Sequence, residues 1–323
     1  MTTEGDLLRG DWSDPQAGRV QLQAYATAWV RERPGLRPKT LQLYEGLLRL
    51  HIVPGLGHVP VSELTPAHVR TWRAELLARG LGPVTVAKAY RLLRAVMGTA
   101  EDDRLIRRNP CQIKGASTER SPERPMLTLT EVYALADAVP ERFRILVLLA
   151  TFASLRWGEL TALTRAAVDA ETGTVKVEVA MVELRDGRMV VGPPKSDAGR
   201  RTVSVPAALL PELREHLRRF TSADPSSLVF TGLRGNALRR SNFQQHWVSA
   251  RTAAGVRSGV HFHDLRHTGN TLTAHAGATL SDLMSRMGHS STRAARIYLH
   301  TTFERDRAVA AALNELLVNH HRL

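Results

Sequence analysis

Residues 287–298 read MGHSSTRAARIY, from Met287 to Tyr298. Gly288 is expected to stop a helix, because glycine enters the left-handed conformation that closes a helix without a side-chain penalty. His289 then falls on a turn and points back from the helix end. Thr292 is placed to cap a short following helix, and that helix carries Tyr298 nine positions after His289. Downstream of residue 127 the chain holds only one other tyrosine, Tyr133, which belongs to an amphipathic helical pattern and is expected to pack.

Three further segments extend this picture: HDLRH at His263 to His267, PPKSDAGRR at Pro193 to Arg201, and ASLRWGEL at Ala153 to Leu160. His263 and Arg266 are three apart, so on a helix both project from one face. Arginine binds phosphate oxygens through a planar fork of charge-assisted hydrogen bonds and stays protonated at any working pH. Arg156 and Arg266, each in one of these segments, are candidates for such an anion contact. Lysine is scarce, at positions 39, 88, 114, 176 and 195 only, so Lys195 at an expected hairpin tip stands out. Glu159, three residues after Arg156, is placed to orient a cationic or imidazole neighbour.

In this order the four segments resemble the tyrosine recombinase family, the phage-type integrases. That family has an arginine early in its catalytic domain, a lysine on a β-hairpin, an H-x-x-R pair, a histidine after glycine, and a tyrosine nine residues later. The resemblance extends over residues 20–318. It implies Tyr298 as nucleophile, His263 as hydrogen-bond partner or proton acceptor, and His289 on the phosphate. It also implies Lys195 as the acid that protonates the departing 5′ oxygen, a transfer guanidinium performs poorly. The implied reaction conserves bond energy in a 3′-phosphotyrosine, so neither nucleotide, metal nor other cofactor is expected. Strand exchange would then run through a four-way Holliday junction held by a homotetramer on double-stranded attachment sites, integrating or excising a mobile element. An accessory directionality factor and a bacterial or phage-encoded, nucleoid-associated setting belong to the same implication. The sequence departs from the family at Ser154, where many relatives carry glycine, and a backbone adjustment is expected there. Only about 19 residues precede the first expected helix, so arm-site binding of the kind that needs a longer amino-terminal extension is not expected.

The rest of the chain is consistent with a DNA partner. Among 323 residues, 44 basic and 31 acidic side chains give a net charge of +13, and the pI of about 10.8 points to a polyanion. The excess is shared: 18 basic and 12 acidic residues lie in the first 120 positions, 26 and 19 after them. Cys111 is the only cysteine, which excludes an intrachain disulfide and a cysteine-based zinc site and suits a reducing cytoplasm. The longest apolar run, Ile145 to Leu155, is too short to cross a bilayer.

The expected fold class is mainly α with a small antiparallel β-sheet. After an extension at residues 1–19, a helical, SAM-like core-binding domain spans residues 20–109. Its third helix has Thr65 as N-cap, Pro66 in the first turn and Gly80 as stop. Its fourth buries Val86, Tyr90 and Val96, while Lys88, Arg91 and Arg94 project oppositely; with Arg37 and Lys39 they are candidate DNA contacts. Residues 110–126, rich in helix breakers, read as a linker. A capping box of Thr128 and Glu131 opens a mixed α/β catalytic domain at residues 127–323, in which Thr174–Glu183, Met189–Val191 and Thr202–Val205 read as strands. Pro193–Arg200 reads as a hairpin tip, and Val309–Leu317 as a carboxyl-terminal helix. Three other readings remain open: a non-catalytic DNA-binding protein, a type IB topoisomerase-like enzyme, and a metal-dependent nuclease built on His261, His263 and His267.

Overall fold

A computed structural model describes residues 17–119, 124–194, 196–288 and 292. The chain divides into two compact units, residues 1–123 and 124–323.

The first unit is helical. Helix α1 (Leu22–Glu32) buries Leu22, Ala26 and Val30, a three-and-four spacing that makes one apolar stripe. Helix α2 (Pro38–Leu47) runs into a π-turn at Leu48–Ile52 and a short helical segment at Val53–Leu56. Helix α3 (Pro66–Ala78) starts as expected: the Thr65 side chain accepts from the His68 backbone N–H at 3.2 Å, and Gly80 beyond its end takes φ +78°. Helix α4 (Pro83–Asp102) is the long element against which the others pack, burying Val86, Ala89, Tyr90, Leu93, Val96, Met97 and Ala100.

The first part of the expected linker is folded onto this unit. Asn109 donates from Nδ2 to the Arg94 carbonyl and accepts from the Cys111 N–H at Oδ1, both at 2.9 Å. The Tyr90 hydroxyl accepts from the Ile113 N–H at 2.8 Å. Cys111 and Ala116 join the apolar core, and burial pushes the Cys111 thiol up to about 12, which leaves it inert as a nucleophile.

In the second unit, the capping box at Thr128 and Glu131 opens helix α5 (Leu129–Ala138). Helix α6 (Arg144–Phe152) buries every residue from Ile145 to Thr151, which explains an apolar run without a polar face. After the short helix α7 (Trp157–Thr161) come β1 (Val168–Asp169), β2 (Thr174–Val177), β3 (Ala180–Glu183), β4 (Met189–Gly192) and β5 (Arg201–Ser204). The single strand expected over Thr174–Glu183 is divided at Glu178–Val179, and its halves serve two small antiparallel sheets, ordered β1-β2-β5 and β3-β4. Pro193–Arg200 is accordingly not a hairpin tip but the connection between them, since β5 pairs with β2 rather than with β4.

Helices α8 (Leu210–Phe220), α9 (Arg240–Ala253), α10 (Phe262–His275) and α11 (Leu280–Met287) complete the described unit. Helix α10 lies directly on α6: a Cβ at Gly269 would sit 1.8 Å from the Thr151 carbonyl oxygen, so only glycine permits this approach. Tyr133 on α5 contacts the Phe152 ring but stays partly exposed, less packed than its sequence pattern suggests. The Val309–Leu317 series lies outside the described residues.

Candidate active site

Two local features bring the site's elements together. The first is an aromatic cluster beneath it. Trp157, next to Arg156, meets Phe262, next to His263, edge to face at 5.2 Å and 89°, and Phe243 on α9 meets Phe262 at 5.3 Å and 82°. Such pairs fix ring orientation and contribute about 0.5–1.5 kcal/mol beyond burial. The second is the end of α11. Gly288 stops it in the left-handed conformation, φ +61° and ψ +51°, as its position in the sequence requires.

Three arginines from distant segments converge on this helix end. Arg201, at the start of β5, donates from Nε to the Arg286 carbonyl at 2.8 Å. Arg266, on α10, donates to the Met287 carbonyl at 2.5 Å. Arg156 donates to the Gly288 carbonyl at 3.2 Å. The last carbonyls of a helix lack intrahelical partners and carry the negative end of its dipole, so guanidinium groups are the donors suited to them. Arg266 also donates to the Ser154 carbonyl and is almost wholly buried, whereas the Arg156 side chain remains 30% exposed.

Glu159 joins two of these cations. Its Oε1 accepts from Arg156 at 2.7 Å and from Arg201 at 3.2 Å; its Oε2 accepts from Arg201 and from the Arg156 backbone N–H, both at 2.9 Å. Burial alone would push this carboxyl up, but Arg201 foremost, and then Arg156, hold it below the ordinary carboxylate value. It is a buried anion shared by two cations, the arrangement that makes such burial tolerable.

His263 lies in the first turn of α10, one turn before Arg266. The residue is exposed overall, yet desolvation first, and then the Arg266 charge, lower its pKa below the usual imidazole value, which favours its neutral form. His261 caps the same helix, with Asp264 Oδ2 accepting from the His261 N–H at 2.8 Å. Among the described residues no three His, Cys, Asp or Glu side chains come together as metal ligands.

Arg156, Glu159, His263 and Arg266 are thus brought into one neighbourhood. Lys195, His289 and Tyr298 lie outside the described residues, although Pro194, Ser196 and Gly288 beside them are described. Arg37 and Lys39 are exposed in the first unit; Arg91 pairs with Glu119, and Lys88 stands 4.0 Å from the same carboxylate. Arg94 is exposed on α4. Arg201 and Arg286 are the residues that the sequence reading passed over. Arg286 donates to the Phe152 and Ser204 carbonyls, tying α11 to α6 and β5.

Residues 125–305 match the phage integrase family, and residues 22–77 match the SAM-like amino-terminal domain of phage integrases. The chain belongs to the phage integrase family. It is a site-specific tyrosine recombinase. It is 39% identical over 300 residues to the phiRv2 prophage integrase of Mycobacterium tuberculosis, an alignment covering 91% of this chain and 78% of that protein. Its fold is similar to that of the Tn1549 transposon integrase in complex with transposon right end DNA, with a TM-score of 0.79 at 20% identity over 91% of this chain and 99% of that one. A lambda integrase tetramer bound to a Holliday junction gives a TM-score of 0.64 at 18% identity over 91% and 83%. No described helix of the recombinase is long and apolar enough to cross a membrane.

Proposed function

We propose that the recombinase cleaves DNA by attack of the Tyr298 phenol oxygen on the scissile phosphorus, leaving a 3′-phosphotyrosine. The observation that carries this reading is the convergence of Arg156 and Arg266 on the Met287 and Gly288 carbonyls, one residue before His289 in the sequence. Two fixed cations at one helix end form a preorganised anion site, and preorganised charge is worth most where charge develops during reaction.

In the cleavage step the Tyr298 Oη–P bond forms and the P–O5′ bond breaks. The phenol proton passes to His263, whose depressed pKa leaves it able to accept it. Arg156 and Arg266 hold the non-bridging oxygens, with His289 as a further donor, and Lys195 delivers a proton to O5′. In rejoining, a 5′ hydroxyl of partner DNA attacks the same phosphorus and the Tyr298 Oη departs with its proton restored. Bond energy is retained throughout, so no energy-rich cofactor enters the balance.

The first unit is the core-binding domain in this reading, joined to the catalytic domain through residues 110–126. Arg37, Lys39, Lys88, Arg91 and Arg94 contact phosphates there; for Lys88 and Arg91 this means exchanging Glu119 for DNA. Exchange of all four strands requires four protomers on the DNA, with an accessory directionality factor setting integration against excision in the cytoplasm of a bacterial host. The test is a nicked suicide duplex spanning the junction that flanks the integrated element. The wild-type chain traps as a covalent adduct, and Tyr298→Phe binds the duplex but forms none. An adduct persisting in Tyr298→Phe refutes the assignment. Supercoil relaxation without strand exchange would favour the topoisomerase-like reading instead.

A further inference from the structure

Arg201 is less exposed and more fully bonded within the protein than Arg156, whose side chain is 30% exposed and donates to Glu159 and Gly288. The Arg201 side chain is only 5% exposed. Its Nε is used by the Arg286 carbonyl, its Nη1 by Glu159 Oε1 and the Gly199 carbonyl at 3.0 Å, and its Nη2 by Glu159 Oε2. Four of the five N–H donors of a guanidinium are thereby engaged within the protein, two of them on the Glu159 carboxylate. Its donors are therefore committed to Glu159 and to backbone carbonyls rather than to a phosphate.

What it touches is the carboxylate that also holds Arg156. Glu159 carries one negative charge between two guanidinium groups, so the triad retains one net positive charge. Without Arg201, Arg156 and Glu159 would form a neutral pair. The Glu159 carboxylate, buried with a single cationic partner, would draw the Arg156 fork toward bidentate pairing and away from the Gly288 carbonyl and the phosphate. The two ligands of Arg156, an internal anion and an external one, compete, and Arg201 decides the competition.

We propose that Arg201 is a positioning residue for strand cleavage: by occupying Glu159 in a bidentate pair it leaves the Arg156 guanidinium cationic and directed at the scissile phosphate. The inference rests on the reading of Arg156 as a phosphate ligand, and the experiment separates the two. Adduct formation is measured in single turnover on the nicked junction duplex, in its ordinary form and with a neutral methylphosphonate at the scissile position. DNA affinity and thermal unfolding are recorded alongside.

Arg201→Met is expected to bind the duplex as wild type does and to form adduct about 100-fold more slowly, the scale of losing one preorganised donor. Adding Glu159→Gln removes the competing charge and is expected to restore adduct formation by about tenfold, one factor of ten per 1.4 kcal/mol. A contact that only supports packing would not be rescued by a second substitution beside it. The methylphosphonate, which needs less cationic stabilisation, is expected to narrow the deficit of Arg201→Met and of Arg156→Met alike. A double variant no faster than Arg201→Met overturns the proposal. So does a methylphosphonate that rescues Arg156→Met alone. Arg156→Met cleaving at the wild-type rate overturns the phosphate reading of Arg156 and the proposal with it. If Arg201→Met fails to fold, Arg201→Lys keeps the charge; normal unfolding with cleavage as slow as Arg156→Met then overturns the proposal.

Discussion

The carbonyl of Ser154 accepts a hydrogen bond from the Arg266 guanidinium, 112 residues along the chain, and Ser154 presents it from a left-handed backbone conformation, φ +53°. A side chain at positive φ crowds its own backbone, which disfavours this conformation by roughly 1–2 kcal/mol for residues other than glycine. The Ser154 hydroxyl gives nothing back, since it is buried without a hydrogen-bond partner. Ser154→Gly is therefore expected to stabilise the second unit by about 1 kcal/mol, read as a rise in Tm with cleavage retained. Ser154→Val is expected to lower Tm, because a β-branched side chain tolerates this conformation least. Equal melting of Ser154→Gly and wild type would show that the strain is not there.

Gly288 meets two demands at once. Its φ of +61° suits glycine, and a Cβ would stand 2.7 Å from the Ala198 carbonyl and 3.0 Å from Gly199 Cα. Gly288→Ala must therefore shift either the helix end or the β4–β5 connection, and the carbonyl that Arg156 uses moves with it. Adduct formation on the nicked duplex is expected to fall by about tenfold to a hundredfold, as sub-ångström misplacement of reacting groups does, while duplex affinity holds. Loss of binding in parallel with cleavage would mean that Gly288 supports folding rather than the site.

Much of this arrangement is legible in the sequence where the cause is local. Thr65, Thr128 and Gly288 announce helix boundaries because caps and stops act within a few residues. The neighbourhood of Arg156, His263 and Arg266 follows from short segments whose types suit phosphate chemistry. What is not legible depends on contacts made across the chain. Arg201 sits beside Arg200, both in a basic run, and only the β2–β5 register shows that the first faces Glu159. The break at Glu178–Val179 is hidden in a β-branched stretch, because Val175 and Met181 are each buried, but in different sheets. The fold-back of residues 109–116 rests on Tyr90 receiving a backbone N–H, which composition cannot reveal.

The lowered pKa of His263 has a kinetic consequence. Desolvation, and then Arg266, stabilise its neutral form relative to the ordinary value of 6.5. In the proposed mechanism His263 accepts the phenol proton, which it can do only when neutral, so the acid limb of adduct formation against pH is expected to fall below 6.5 rather than at it. The check is a single-turnover series from pH 5 to 8, repeated with His263→Gln, which should be slower throughout and should lack that limb. A wild-type limb at 6.5 or above, or one retained in His263→Gln, would move the proton acceptor elsewhere.

Stability responds to pH through a second histidine, His216 on α8. It is buried against Phe220 and Phe230, with Nε2 donating to the Val229 carbonyl at 2.9 Å. Burial lowers its pKa, outweighing the carbonyl bond, and the Arg142 charge adds to the effect. As pH falls below the unfolded value of about 6.5, the unfolded chain takes up a proton that the folded chain refuses. Folding stability is then fully present above 6.5 and lost as pH falls toward the lowered folded value, with a slope approaching about 1.4 kcal/mol per pH unit for one group. The second unit is therefore expected to melt at a lower temperature at pH 5.5 than at pH 7.5. His216→Gln retains an N–H donor but cannot titrate. It should melt lower than wild type at pH 7.5, where its packing is poorer, and should lose less on acidification. An equal acid-induced drop in both proteins would assign the sensitivity to other groups, His263 first among them, since its lowered pKa acts in the same direction.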